Sequence, residues 1–308
     1  MDDLMVSLLG FRIFVSCIGL VGNVFLILSI IQTKFSRIKS FELFLLGLAT
    51  ANLVEIVIIN IYDLVILQTS STSISTGSCR LLKFISVSGE VASIFFTALI
   101  SIYRYQKLRD VDKRVNLPIY MDSIRSAWML IGVCVMLSTL TTLPIFVLNP
   151  QDSGKNFTRN SSSCLPDFFQ CSKDDCPMLN WIYKYLFILV CYLLPLIIVT
   201  ITSWLILSVL LSQRRMVTPV VSVSGSNQLG RKTRNPKLQR STLAVLAAMA
   251  LFQVDWTLYL IFQWIFSTTD FPMWVEIELF ISTSYTSISP YVYGVGNNLF
   301  SFKNFKKK

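Results

Sequence analysis

Long uncharged runs, each closed by a short cluster of charge, set the rhythm of this chain. Stretches such as "LVGNVFLILSII" (residues 20–31) and "LILSVLL" (residues 205–211) show no period-two alternation. A helix needs roughly 20 apolar residues to cross the hydrocarbon with every backbone group satisfied internally. Seven stretches meet that length, at about residues 5–31, 41–67, 80–103, 124–148, 181–211, 241–267 and 274–295. A transmembrane barrel would instead need alternating segments of about 10 residues. The pattern therefore predicts an all-α bundle of seven transmembrane helices formed by residues 1–308 as one domain. Its two sizeable connections are residues 149–180 and 212–240.

Composition agrees with lipid as the solvent. Hydrophobic residues make up 53% of the 308 residues and charged residues 14%, with a mean hydropathy of +0.61. The stretch "SIYRYQKLRDVDKRV" (residues 101–115) shows how charge returns at one edge of an apolar run, as at a membrane boundary. Lys and Arg near helix ends stay on the cytoplasmic side. Of the 27 cations, 20 fall in the first, third and fifth connections and the tail, so those face inward and the amino terminus faces outward. The opening "MDDLM" lacks a basic leader and cleavage site, so the first helix is expected to act as its own insertion signal. The net charge of +10 needs no nucleic acid, because a basic inner face beside anionic lipid accounts for it.

The loop after helix four is placed outside by this count, and its chemistry suits that side. Asn156 and Asn160 each open an Asn-x-Ser/Thr glycosylation acceptor. Cys164, Cys171 and Cys176 lie in the same loop and Cys79 opens helix three at the same face. Four cysteines in an oxidising compartment favour two disulfides, with three pairings open. The chain has no histidine, which leaves a zinc site without its commonest ligand and rules out Ser-His and Cys-His nucleophile pairs. No metal, cofactor or enzymatic activity is expected. An ion or proton transporter is the competing class, because several carboxylates fall inside helices. Yet seven spans do not divide into equal halves, and no internal repeat is present.

Several marks occur in a fixed order. Gly22-Asn23 stands in helix one, "LATAN" ends at Asn52 in helix two, and Cys79 precedes Arg104 by 25 residues on helix three. Trp128, Pro195 and "SPYVY" (residues 289–293) follow on helices four, five and seven. The set resembles the rhodopsin-like G-protein-coupled receptors across nearly the whole chain. "YRYQKLRD" stands where the family usually has acid-Arg-Tyr, and helix six lacks the common Trp-x-Pro bend. Together "SIYRYQKLRDV" and "SPYVYGVGNNLF" resemble the vomeronasal type 1 receptors and their fish counterparts, the olfactory class-A-related receptors. Bitter taste receptors share the plan but not the helix-seven ending.

The resemblance implies a receptor at the plasma membrane of chemosensory neurons, detecting a small organic chemosignal and activating a heterotrimeric G protein of the inhibitory or olfactory type. It further implies a disulfide from Cys79 to one of the loop cysteines and assigns Arg104 and Tyr105 to G-protein coupling. Asn23, Asn52, Ser289, Pro290 and Tyr293 become the helix-core motif. Family receptors often hold the helix-three arginine with acids beside it and at the foot of helix six. Here Tyr103 and the basic "KLQRSTL" occupy those places, so packing and hydrogen bonds are expected to hold the resting state. Many relatives carry an aspartate at Asn52 that helps bind sodium. A neutral amide predicts little sodium dependence, and an interhelical hydrogen bond to Asn23 or Ser289 instead.

Ionisable residues within a membrane are functional candidates by default. Glu90 lies 11 residues below Cys79, roughly 16 Å along the helix axis. Lys83 shares its face, with Ser86 and Val87 between them. With Lys184, Phe187, Trp256, Tyr259 and Gln263 they make up the candidate ligand pocket, whose mixed charge leaves the sign of the ligand open. Arg12, Asp63 and Glu278 are expected as ion-pair formers near the outer rim. Glu55 and Asp255 are further intramembrane carboxylates in need of partners. Residues 212–240 read as a mobile, basic inner loop with Ser222, Ser224, Ser226 and Thr233 as phosphate acceptors. The tail, with Leu299, Phe302 and Phe305 among lysines, suits a short amphipathic helix on the inner membrane surface and has no cysteine for a lipid anchor.

Overall fold

The computed structural model describes residues 2–32, 39–68, 76–113, 120–146, 178–215, 236–265, 274–297 and 299. Among these the chain forms seven long helices and no strand. They are α1 (Asp2–Ile31), α2 (Ser40–Gln68), α3 (Thr76–Lys113), α4 (Ile124–Thr142), α5, α6 (Pro236–Ile265) and α7 (Trp274–Gly296). Helix α5 is built from Met178–Phe187, a π-helical turn at Ile188–Leu193, and Leu194–Arg215. The helices close into a ring, with α1 between α2 and α7, α6 between α5 and α7, and α3 at the centre against α2, α4 and α5.

Six of the helices are long and apolar enough to cross a membrane. α7 falls short because Ser282, Thr283, Thr286, Ser287 and Ser289 dilute its hydropathy, and all five are buried inside the bundle. Large apolar side chains such as Trp204, Leu243 and Met136 instead point outward and are exposed, the arrangement expected when the surrounding solvent is lipid.

Local chemistry explains where the helices depart from the hydropathy pattern. α3 runs to Lys113, ten residues past the apolar stretch that ends near residue 103, because leaving the hydrocarbon does not break the backbone ladder. α4 stops as an α-helix at Thr142 and tightens into a 3-10 turn, Leu143–Phe146, where the expected span ran to residue 148. Pro144 has no N–H to continue the ladder there. Pro290 sits inside α7 and likewise leaves the carbonyl of Thr286 without its helical donor. The Asn23 side chain fills that place, donating from Nδ2 to the Thr286 carbonyl at 3.0 Å.

α1 and α7 approach closely because α1 presents glycines. A Cβ on Gly19 would lie 2.3 Å from Ser287 Oγ, and one on Gly22 would lie 2.6 Å from the Tyr291 ring. Cys79 is disulfide-bonded, whereas Cys17, Cys134 and Cys191 are free. Cys164, Cys171, Cys176, Asn156, Asn160, the loop phosphate acceptors and the tail beyond Leu299 lie outside the described residues.

Candidate functional site

In the outer half of the bundle, α2, α3, α5, α6, α7 and the turn after α4 enclose a cavity of about 30 Å³. Its wall includes Lys83, Ser86, Val87, Glu90 and Tyr259 from the sequence candidates, joined by Glu278. Glu278 is thus a cavity residue as well as a rim one, and its Oε1 accepts a 3.3 Å hydrogen bond from Tyr259. The volume admits a water-sized guest and no organic molecule. A ligand must therefore widen this space to enter.

Tyr192 is a cavity residue that the sequence did not single out. The π-helical turn of α5, in which the Leu194 N–H bonds the Leu189 carbonyl five residues back, leaves Tyr192 buried. Its hydroxyl donates to Glu90 Oε1 at 3.1 Å. Its ring packs against Phe187, Trp256 and Tyr259, with centroids 5.6, 5.0 and 4.8 Å away. Phe187 and Trp256 are therefore a buried aromatic layer behind the cavity and not part of its lining. The Trp256 indole N–H is buried without an acceptor among the described residues. Lys184 and Gln263 are half-buried and do not reach the cavity. Arg12 is fully buried in α1; the side chain of Asp63, its expected companion at the rim, lies outside those described.

A larger groove of about 480 Å³ runs along α2, α3 and α4, lined by Gly47, Gly89, Phe96 and the exposed Trp128. Its Thr50, Ser138 and Thr139 hydroxyls bond carbonyls of their own helices. It faces the hydrocarbon and lacks the charges of the inner cavity.

Inward of the cavity, the helix-core residues form a node. Asn52 Nδ2 donates to Asn23 Oδ1 at 3.3 Å and to Ser289 Oγ at 3.2 Å. Ser93 Oγ donates to Asn52 Oδ1 at 2.6 Å. The node links α1, α2, α3 and α7 and is buried throughout. Ser93 was not foreseen, because one serine among many apolar residues of α3 carries no signal of its own. Tyr293 is fully buried nearer the cytoplasmic end.

At the cytoplasmic end Arg104 is buried, with its guanidinium 3.4 Å from the centroid of the Phe41 ring. Its Nη2 donates to Ser241 Oγ on α6 at 2.5 Å and to Asn297 Oδ1 after α7 at 3.1 Å. Ser241 Oγ also donates to Asn297 Oδ1. Arg240 donates to the Val295 carbonyl at 3.2 Å. A Cβ on Gly296 would lie 2.0 Å from Ala244 Cβ, so only glycine lets α7 seat against α6 here. Arg104 is thus clasped by two neutral side chains. Tyr105 is half-buried below it, with the Arg109 guanidinium 5.8 Å from its ring centroid.

The acid absent from the position beside Arg104 reappears in the loop before α4. Tyr103 donates to Asp122 Oδ1 at 2.8 Å and Lys107 donates to Asp122 Oδ2 at 2.6 Å. Partial burial raises the Asp122 pKa, but the hydrogen bonds from Lys107 and Tyr103 and the charges of Lys107 and Lys39 outweigh it, leaving the carboxyl below its ordinary value. Lys107 therefore holds a loop in place.

Residues 22–293 match the family described as "7 transmembrane receptor (rhodopsin family)". The chain belongs to that family. No individual protein of established function matches it at a significant level. The receptor is accordingly a multi-pass membrane protein of a class that binds ligands on one side and heterotrimeric G proteins on the other, and whose members are generally not enzymes.

Proposed function

We propose that this receptor is a chemosensory receptor of the vomeronasal type 1 and fish olfactory class-A-related kind, at the plasma membrane of sensory neurons. Its amino terminus faces outward, and it signals through an inhibitory or olfactory-type G protein. The subfamily rests on "SIYRYQKLRDV" and "SPYVYGVGNNLF", whose Arg104 and Asn297 meet in the cytoplasmic clasp. A small organic ligand enters among Lys83, Glu90, Tyr192, Tyr259 and Glu278, widens the cavity, and displaces the Phe187, Tyr192 and Trp256 layer. The buried Trp256 N–H offers a donor to an acceptor on that ligand.

The observation that carries the signalling account is the clasp. Arg104 joins α3 to the foot of α6 and the exit of α7 through neutral acceptors, which marks a closed, resting arrangement. Opening α6 breaks these bonds and frees the cytoplasmic face. The gap between closed and open states is modest, so a ligand needs little differential affinity to shift it. The test is to express the receptor with a promiscuous G protein and screen small acids and amines against wild type, Glu90→Gln and Lys83→Gln. Loss of response to amines in the first variant and to acids in the second supports this pocket; unchanged potency in both removes it.

A further inference from the structure

Glu90 of α3 and Glu278 of α7 line the same cavity of about 30 Å³. Each accepts a hydrogen bond from a tyrosine: Tyr192 donates to Glu90 Oε1 at 3.1 Å and Tyr259 to Glu278 Oε1 at 3.3 Å. The two tyrosine rings pack with centroids 4.8 Å apart, so one aromatic pair holds both carboxylates at a single opening. Ser282 follows Glu278 by four residues, on the same face of α7, and lines the cavity with it. Its hydroxyl hydrogen is committed to Glu55 of α2, which leaves the Ser282 oxygen as an acceptor. Among the described residues of the wall the charged groups are Lys83, Glu90 and Glu278, two anions to one cation.

That balance decides the sign of a guest. An acid drawn to Lys83 would also stand beside two carboxylates inside the bundle, where like charges repel far more than in water. A cation is attracted by both. Size and hydrogen bonding restrict the cation further. A primary ammonium group is close to water in size and carries three donors, a match for Glu90, Glu278 and Ser282 as acceptors. A trimethylammonium group has no N–H to give and exceeds a water-sized space. The faces of Tyr192 and Tyr259 add attraction for a cation, while Ile59, Ile145 and Leu279 supply hydrocarbon for an apolar body. Lys83 carries the same head group on a tether. It precedes Glu90 by seven residues, two helical turns on one face of α3, and shares the cavity with both carboxylates.

We propose that the cavity selects primary amines: the ligand's ammonium group binds between Glu90 and Glu278 and displaces the Lys83 ammonium, which offsets these carboxylates in the ligand-free receptor. This deepens the proposed function and rests on its placing of the ligand at this cavity. Lys83 thereby becomes a built-in competitor of the ligand and not a partner for it.

The test is ligand-stimulated G-protein activation in cells with a promiscuous G protein, on full-length wild type, Glu90→Gln, Glu278→Gln and Lys83→Gln matched for surface expression. The probes are phenethyl, isopentyl and cyclohexylmethyl bodies, each carried on a primary ammonium, a trimethylammonium, a hydroxyl or a carboxylate head. Wild type should respond to primary amines at concentrations roughly 10-fold or more below any trimethylated or carboxylate analogue. Potency of the active amine should fall roughly 10- to 100-fold in each glutamate variant, as expected for loss of a hydrogen bond to a charged group. It should rise roughly 3- to 10-fold in Lys83→Gln, where the tethered cation no longer competes. Activation by carboxylates and by no amine, equal potency of trimethylated and primary heads, or an unchanged or lower amine potency in Lys83→Gln overturns the assignment and leaves the chemosensory reading standing. Should a glutamate variant fail to reach the surface, the Lys83→Gln and trimethylated arms decide alone. A surface-expressed wild type that answers no primary amine also overturns it; the chemosensory reading itself falls only if no other small organic class activates the same cells.

Discussion

Replacing Ser241 with alanine tests the clasp without touching Arg104, which a G protein itself would meet. The substitution removes the 2.5 Å hydrogen bond from Arg104 Nη2 and the bond that Ser241 donates to Asn297. Arg104 keeps its 3.1 Å bond to Asn297 and its stacking on Phe41. A hydrogen bond to a charged group contributes about 1.5–3 kcal/mol, and the retained partner limits the net loss to about 1.5–2 kcal/mol. A shift of that size changes the closed-to-open ratio roughly 10- to 30-fold, so a receptor open about 1% of the time becomes open about 10–25% of the time. The assay is ligand-free G-protein activation in cells, normalised to surface expression, for wild type, Ser241→Ala and the double variant Ser241→Ala, Asn297→Ala. Basal signalling is expected to rise in the single variant and further in the double. Basal activity equal to wild type in both, at normal surface expression, would show that these bonds do not hold the resting state.

Gly296→Val forces a side chain into the space occupied by Ala244; overpacking of this kind costs about 1–3 kcal/mol. It is expected to lower Tm and raise ligand-free signalling together, and a variant with wild-type values of both would contradict the close seating of α6 on α7. Asn52→Ala leaves Asn23, Ser93 and Ser289 short of a partner, with an expected loss of about 1–2 kcal/mol, read as a lower Tm; an unchanged Tm contradicts the node. The lowered Asp122 pKa means that its ionised contacts persist above the unfolded carboxyl value and are lost only as pH falls through the still lower folded one. Asp122→Asn should therefore reduce stability by the same amount at pH 5.5 and pH 8, and a difference between the two would contradict the assignment of charge.

The seven helices were legible because lipid demands long uncharged runs, and Lys83, Ser86, Val87, Glu90 and Tyr259 were found together because helical spacing and depth can be counted along a chain. Other features depend on how the backbone bends between helices. The π-helical turn that buries Tyr192 against Glu90 has no composition signal, and Pro195, three residues later, could equally have marked a kink. Asp122 as the partner of Tyr103 and Lys107 depends on the path of a loop across 15 or more residues. Ser241 looked like one polar residue in a basic segment, and Asn297 like a departure from the usual helix-seven exit. Only their meeting at Arg104 gives them a role. Glu55 was visible as a charge in a hydrophobic run, but its Ser282 partner and Glu90 neighbour come from two other helices. Trp256 and Phe187 lie behind the cavity, because aromatic residues facing inward pack behind such a space as readily as they line it.

Nucleotide exchange on purified heterotrimeric G proteins, measured with the full-length receptor in lipid discs, addresses the signalling account most directly. Wild type should accelerate exchange on the inhibitory or olfactory-type protein above the receptor-free rate. Ser241→Ala should accelerate it several-fold more without ligand, and Arg104→Ala should return it to baseline. Receptor-free rates for wild type and Ser241→Ala alike, on every class of G protein offered, would contradict the account.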